Sequence, residues 1–223
     1  MPYPICTSLG HVDSSSPLQQ SHPTPWLEIR LDLLPNLFPT GLQRFFAVLP
    51  QWIEPYRNVI ATFRKGSPYF NSTDSQRIDI LNELLSRGIK FIDLDYQTDA
   101  NMLDALTPSI KKNGAHLILS RHIYKGAPTT TQLASLFKEM QRLKPDLIKI
   151  AQYCSSPAMV DSLLSLYHLF EKALFIPMGP LASEARLAIT DLGAPFTYAY
   201  YETPTAEGQL SVEDAINYYQ SKV

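Results

Sequence analysis

HLILSRHIYKGAPTTTQLASLFKEMQRLKPDLIKIAQ, residues His116 to Gln152, holds one strand–helix–strand unit. Its first run, His116–Ser120 (HLILS), and its last, Leu147–Gln152 (LIKIAQ), are short and apolar, the form of buried strands. Between them Thr130–Leu143 has the three-to-four-residue apolar spacing of an amphipathic helix. Two strands joined through a helix pair in parallel with a right-handed crossover.

The same alternation runs outward in both directions. Upstream lie Pro4–Ser8 (PICTS), Leu27–Leu33 (LEIRLDL), Val59–Phe63 (VIATF) and Phe91–Tyr96 (FIDLDY). Downstream lie Ala173–Met178 (ALFIPM) and Phe196–Tyr201 (FTYAYY). Helices are predicted over Gly41–Ile53, Ser75–Arg87, Ala100–Lys112, Pro157–Glu171, Ser183–Leu192 and Ser211–Ser221. Ser211 with acids behind it reads as a helix start, and Gly88, Gly114 and Gly193 stand where helices should stop. Eight strands alternating with helices in a chain of 223 residues predict a closed (β/α)8 TIM barrel, with 1–223 as a single catalytic domain. A doubly wound open sheet is the other α/β solution, but no glycine-rich phosphate loop supports it. Leu9–Pro25 is polar and lacks a helical period, so the first helix is expected to be degenerate or missing.

The formal net charge of −2, with no block of like charge, argues against a nucleic-acid or membrane-surface role. Hydrophobic residues at 45% and charged residues at 18% are those of an ordinary globular chain. Cys6 and Cys154 make no disulfide framework and read as free thiols in a reducing cytoplasm.

In such a barrel the chemistry gathers at the C-terminal strand ends. Polar residues fall at those positions: Glu28, Arg30 and Asp32 on the second strand, Arg64 and Lys65 after the third, Asp93 and Asp95 on the fourth, and Ser120-Arg121-His122 at the end of the fifth. Alternating charges on apolar strands are costly unless they pair or line a wet cavity, so the mouth suits a polar, anionic small molecule. Lys149, between Ile148 and Ile150, is the most informative residue. Burial and cations such as Arg30 and Arg64 would favour its free amine, which can attack a ketone to form a Schiff base; an ion pair with Glu28 is the structural alternative. His122 suits a proton shuttle, with Asp93 as the acid that orients it. Met178-Gly179-Pro180 closes the seventh strand, Arg186 follows on a helix start, and Glu202–Leu210 is long enough for a lid. No Cys/His cluster has metal-ligand spacing, so no metal is expected.

From Leu27 to about Leu210 the chain resembles type I 3-dehydroquinate dehydratase of the shikimate pathway. The matching pieces are LEIRLD, ATFR, FIDLDY, SRH, DLIKIA, MG with a following AR, and EGQ, each at the right strand of the inferred barrel. The resemblance implies a cytoplasmic homodimer acting on 3-dehydroquinate without a cofactor. It makes Lys149 the Schiff-base lysine and His122 the general acid/base. Glu28, Arg30 and Arg64 would hold the ring hydroxyls and the reacting region, and Arg186 the substrate carboxylate. Thr205 and Gln209 would contribute from the lid, and Met178 would pack on the ring. Three features depart from the family: RKGSPYF after the third strand lacks an acid, Thr205 stands where serine is usual, and the N-terminal hairpin that often closes the barrel floor is missing. The same residues also admit another Schiff-base barrel of class I aldolase type, or a catalytically impaired barrel kept for binding.

Overall fold

The computed structural model describes residues 3–14 and 24–222. Among the described residues nine parallel strands form one curled sheet: β1 (Ile5–Leu9), β2 (Trp26–Arg30), β3 (Asn58–Thr62), β4 (Phe91–Asp95), β5 (His116–Ile123), β6 (Leu147–Tyr153), β7 (Ala173–Met178), β8 (Thr197–Tyr200) and the two-residue β9 (Leu210–Ser211). Among the described residues seven α-helices accompany them: α1 (Leu42–Ile53), α2 (Asp74–Ser86), α3 (Ala100–Lys112), α4 (Thr130–Gln141), α5 (Pro157–Leu164), α6 (Ser183–Ala188) and α7 (Val212–Gln220). No helix among the described residues is long and apolar enough to cross a membrane. The segment predicted to replace the first helix falls largely on residues 15–23, outside the described residues.

Local sequence sets the helix ends. Thr73 and Thr129 each accept from the backbone N–H three residues on, and Gln76 and Gln132 return the bond to the cap backbone. Ser211 caps α7 by accepting from Asp214 N, as its sequence suggested. After α2 the chain turns at Gly88 (φ 93°), a left-handed position that disfavours a side chain. Most strand ends shift by a residue or so from expectation, and two of the differences bear on the site. β2 stops at Arg30, and Leu31–Leu33 form a 3-10 turn. β5 runs on to Ile123, which places His122 within the strand rather than after it.

Strand order is β7-β6-β5-β4-β3-β2-β1-β8-β9. The ladder therefore stays open between β7 and β8, where a closed barrel was expected, and the side chains bridge the gap. Leu174, Ile176 and Met178 of β7 share one apolar cluster with Phe196 and Tyr198, at the start and middle of the β8 run. The free edge of β7 is stitched by other groups. The Tyr167 hydroxyl accepts from Phe175 N and donates to Phe175 O (2.8 and 3.1 Å). Arg186 Nε donates to Pro177 O (2.8 Å), and Gly179 N donates to Glu207 O (3.3 Å) in the β8–β9 loop. These contacts satisfy backbone groups that a ladder would otherwise pair.

Inward-facing side chains divide the barrel into two levels. At the N-terminal end Trp26 packs against Phe91 and Phe196, with centroids 4.9 and 4.5 Å apart, and plugs the floor. Above them the inward positions turn polar, and the interior opens at the C-terminal ends of the strands.

Candidate active site

A cavity of about 840 Å³ occupies that end, within the usual size range for a small-molecule site. All the residues expected to form the site line it except Asp93, which lies fully buried beneath.

Lys149 is held at the bottom. β5 and β6 place Ser120 beside Lys149 in register. Lys149 Nζ lies 3.1 Å from Asp93 Oδ2, 3.6 Å from Glu28 Oε1 and 4.3 Å from the Tyr198 ring centroid. The amine's immediate partners are carboxylates, including Glu28, whose ion pair was the structural alternative, and Arg64 is linked to the amine through the shared Asp93. The arginines are themselves taken by carboxylates, Arg30 by Asp32 (3.2 and 2.7 Å) and Arg64 by Asp93 (2.7 Å). Mixed charges at this depth neutralise one another locally. Glu28 also accepts from Ser8 Oγ (2.7 Å) and Thr62 Oγ1 (2.9 Å), which fixes its carboxylate in the buried layer.

The histidine's partner is a correction. Asp93 does not orient His122. It accepts from Arg64, from Ser120 Oγ (2.6 Å) and from Lys149. The carboxylate on the ring is Asp95, with Oδ2 3.3 Å from His122 Nδ1. The reason lies in the sheet. His122 is one inward step beyond Ser120, and Asp95 is one inward step beyond Asp93, so the two upper residues meet and the two lower ones meet. The Asp95 carboxylate is aimed by its own turn, because Oδ1 accepts from Gln97 N, Thr98 N and Thr98 Oγ1.

These contacts set the charges. Burial, then the nearby Arg64 guanidinium, lowers the His122 pKa to about 4 against the upward pull of Asp95, leaving a neutral imidazole at ordinary pH. With Nδ1–H assigned toward Asp95, Nε2 is the free acceptor. Burial pushes the Asp95 carboxyl up, but the hydrogen bond to His122, the Arg64 charge and Thr98 together lower it to about 2. Asp93 is likewise held well below the usual carboxylate range, by Arg64, Lys149 and Ser120 against the effect of burial.

The far wall comes from β7, α6 and the β8–β9 loop. Arg186 is 4% exposed. Its Nε is anchored on Pro177 O, and its buried Nη1 has no hydrogen-bond partner. Burial lowers its pKa to about 10, only partly offset by Glu28, so it remains a cation at neutral pH. Met178 lines the same wall. The loop is folded over the cavity: Thr205 Oγ1 meets Ser8 Oγ (2.8 Å), and Gln209 Oε1 accepts from Thr205 N and Oγ1 (2.9 Å each).

Sequence reasoning missed Ser8, Thr62 and Tyr198 as parts of this site. Ser8 ends the first apolar run and Thr62 sits inside VIATF, where a hydroxyl carries little signal. Tyr198 was hidden in the aromatic run FTYAYY.

Comparison with known proteins bears on the family and the fold. The family model described as Type I 3-dehydroquinase matches residues 10–222. A 3-dehydroquinate dehydratase of Dehalococcoides mccartyi is 27% identical over 226 residues, covering 98% of this chain and 95% of that one. That of Thermococcus gammatolerans is 27% identical over 184 residues, covering 80% and 84%. Among solved structures, the type I 3-dehydroquinate dehydratase of Clostridium difficile superposes with a TM-score of 0.81 at 18% identity, covering 100% of this chain and 95% of that one. The Geobacillus kaustophilus 3-dehydroquinate dehydratase gives 0.81 at 19% identity, covering 99% and 91%. The extent of the family match, residues 10–222, decides the assignment: the chain belongs to the type I 3-dehydroquinase family.

Proposed function

We propose that this chain dehydrates 3-dehydroquinate to 3-dehydroshikimate through a Schiff base on Lys149, the third step of chorismate and aromatic amino acid biosynthesis, with 1–223 acting as one catalytic domain. The observation that carries the reading is a buried lysine amine at the bottom of an open cavity, with a neutral histidine above it.

In this reading the substrate ketone enters above Lys149. The amine passes a proton to His122 Nε2 and attacks the carbonyl carbon; His122 returns that proton to the carbinolamine hydroxyl, which leaves as water and gives an iminium. The iminium draws electrons and acidifies the adjacent carbon. His122 Nε2 removes a proton from that carbon and returns it to the departing hydroxyl. Water then hydrolyses the product imine and frees the lysine. Asp93 anchors the amine, and Asp95 fixes the histidine tautomer. Arg186, with a guanidinium nitrogen still unpaired, takes the substrate carboxylate. Glu28, Arg30 and Arg64 hold the hydroxyls and the reacting region, Met178 packs on the ring, and Thr205 and Gln209 close from the lid.

Asp95 weakens the alternative of a barrel kept only for binding. That alternative rests on the missing acid after Arg64, and a neighbouring strand supplies a carboxylate to the same ring. The test is borohydride reduction in the presence of 3-dehydroquinate, followed by peptide mass mapping. Inactivation with label on Lys149, both lost in Lys149→Ala, is the expected result. Label on another lysine, or none with an unmodified active protein, would overturn the reading.

A further inference from the structure

Arg77 is fully buried, yet it lies outside the cavity, on α2 behind the sheet. Its guanidinium grips two strand ends at once. Nε donates to Phe63 O at 3.0 Å, and Nη2 donates to the same carbonyl and to Asp99 Oδ1 at 2.7 Å. Asp99, also buried, turns its other oxygen to the backbone N–H of Asp95 at 2.9 Å. Phe63 O belongs to the peptide that leads into Arg64, and Asp95 N belongs to the residue that meets His122. The ring of Phe63 packs beneath the guanidinium, 5.7 Å from its carbon. Asp74, on the exposed side, adds a looser contact at 3.3 Å.

An ion pair sequestered at this depth is poor evidence of stabilisation, because desolvation opposes the Coulomb attraction. Its geometry is the informative part. A planar fork with fixed N–H directions can bind a carbonyl and a carboxylate together in one orientation, which a lysine cannot do. The two strand ends it joins carry the two groups, Arg64 and Asp95, that share the space around the His122 ring.

We propose that the Arg77–Asp99 pair is a positioning device for the proton shuttle. It ties the end of β3 to the end of β4 from behind, so that Arg64 and Asp95 converge on His122 in fixed register. The proposal rests on the reading of His122 as the proton carrier. The charged groups facing that ring are Arg64 from the β3 end, Asp93 and Asp95 from β4, and Lys149 from β6. Arg77 and Asp99 hold two of these four through the backbone and touch no reacting atom.

The test uses Arg77→Lys, which keeps the charge without the fork, and Asp99→Asn, which keeps the size and loses the charge. Three measurements are made on each: thermal unfolding, the His122 imidazole titration by NMR in ligand-free protein, and kcat and KM for 3-dehydroquinate. Expected are folded proteins whose His122 titration moves by at least about half a pH unit. Their kcat should fall about tenfold or more with KM nearly constant, while borohydride trapping at Lys149 persists because Asp93 still holds the amine. Folded variants with an unmoved His122 titration and parental kcat would overturn the proposal. Should either single variant fail to fold, Arg77→Met combined with Asp99→Leu removes both buried charges together and carries the same expectations. If the unaltered protein fails to turn over 3-dehydroquinate, the functional reading falls, while the His122 titration still decides whether the pair positions the ring.

Discussion

Asp95 Oδ2 lies 3.3 Å from His122 Nδ1 and 3.9 Å from Arg64 Nη1, so one oxygen mediates between the ring and the cation beside it. The carboxylate favours the imidazolium, and the guanidinium and burial oppose it. Asp95→Asn removes the favourable contribution. The acidic limb of the kcat/KM profile should then move to lower pH, with a fall in kcat smaller than the roughly 10²–10⁴-fold expected for His122→Ala. Asp93→Asn should behave differently, slowing borohydride trapping at Lys149 because its contact is with the amine. pH–rate profiles and single-turnover trapping of the two variants make the comparison.

Folding stability should carry the same signature. The folded pKa of His122 lies at about 4, below its ordinary value of 6.5. Between those pH values the unfolded chain binds the additional proton, so stability rises with pH across this window and is lost as pH falls through it. The loss attributable to this ring is on the order of 3 kcal/mol. Asp93 and Asp95, both depressed, add a further loss below the ordinary carboxylate range. Urea midpoints from pH 7 to 4 should fall for the parent. For His122→Asn they should stay nearly level until carboxylates begin to protonate.

Arg186 should separate binding from chemistry. Arg186→Ala removes the proposed carboxylate partner and frees Pro177 O. A rise in KM equivalent to about 2–5 kcal/mol is expected, with a much smaller change in kcat. Steady-state kinetics decide it, and an unchanged KM would return Arg186 to a purely structural role at the β7 edge.

The lid depends on a glycine. Gly208 has φ 76°, and a Cβ there would lie 2.3 Å from Gly179 O. Gly208→Ala should therefore lift the loop from β7 and separate Thr205 and Gln209 from the mouth. The backbone strain alone is about 1–3 kcal/mol. KM should rise and kcat fall together, with Tm lowered, as calorimetry and kinetics would show.

Tyr198 carries a hydroxyl that is buried without a hydrogen-bond partner, while its ring supports the Lys149 amine. Removing an unpaired buried hydroxyl relieves a desolvation penalty of about 1–3 kcal/mol. Tyr198→Phe should raise Tm and leave turnover intact. A large loss of kcat would mean that the hydroxyl meets the substrate.

The sequence was legible wherever one residue's position determined its neighbours. Apolar runs and caps located the strands and helices because their periodicity is local. Lys149 stood out because a charge inside LIKIAQ has no surface to reach. The partner of His122 was misread because strand order ranks Asp93 and Asp95 equally. Only the stagger between β4 and β5 lifts one to the level of the ring. Arg77 was invisible for the opposite reason: on an amphipathic helix it looks like an ordinary solvated arginine, and only the fold buries it. The open seam was likewise absent from the pattern, since a strand's sequence does not say whether its last neighbour closes a ladder.

That seam leaves β7 with an edge, and unpaired edges are templates on which another chain can add a strand. This edge offers little to copy. Phe175 has both backbone groups occupied by the Tyr167 hydroxyl. Pro177 has no N–H, and its carbonyl is bound to Arg186. Gly179 N is bound to Glu207 O, and β9 covers the other side of the gap by pairing with β8. The barrel thus blunts this seam by occupying its backbone groups rather than by closing on itself. The arginine proposed to greet the substrate thus also occupies the open edge of the sheet.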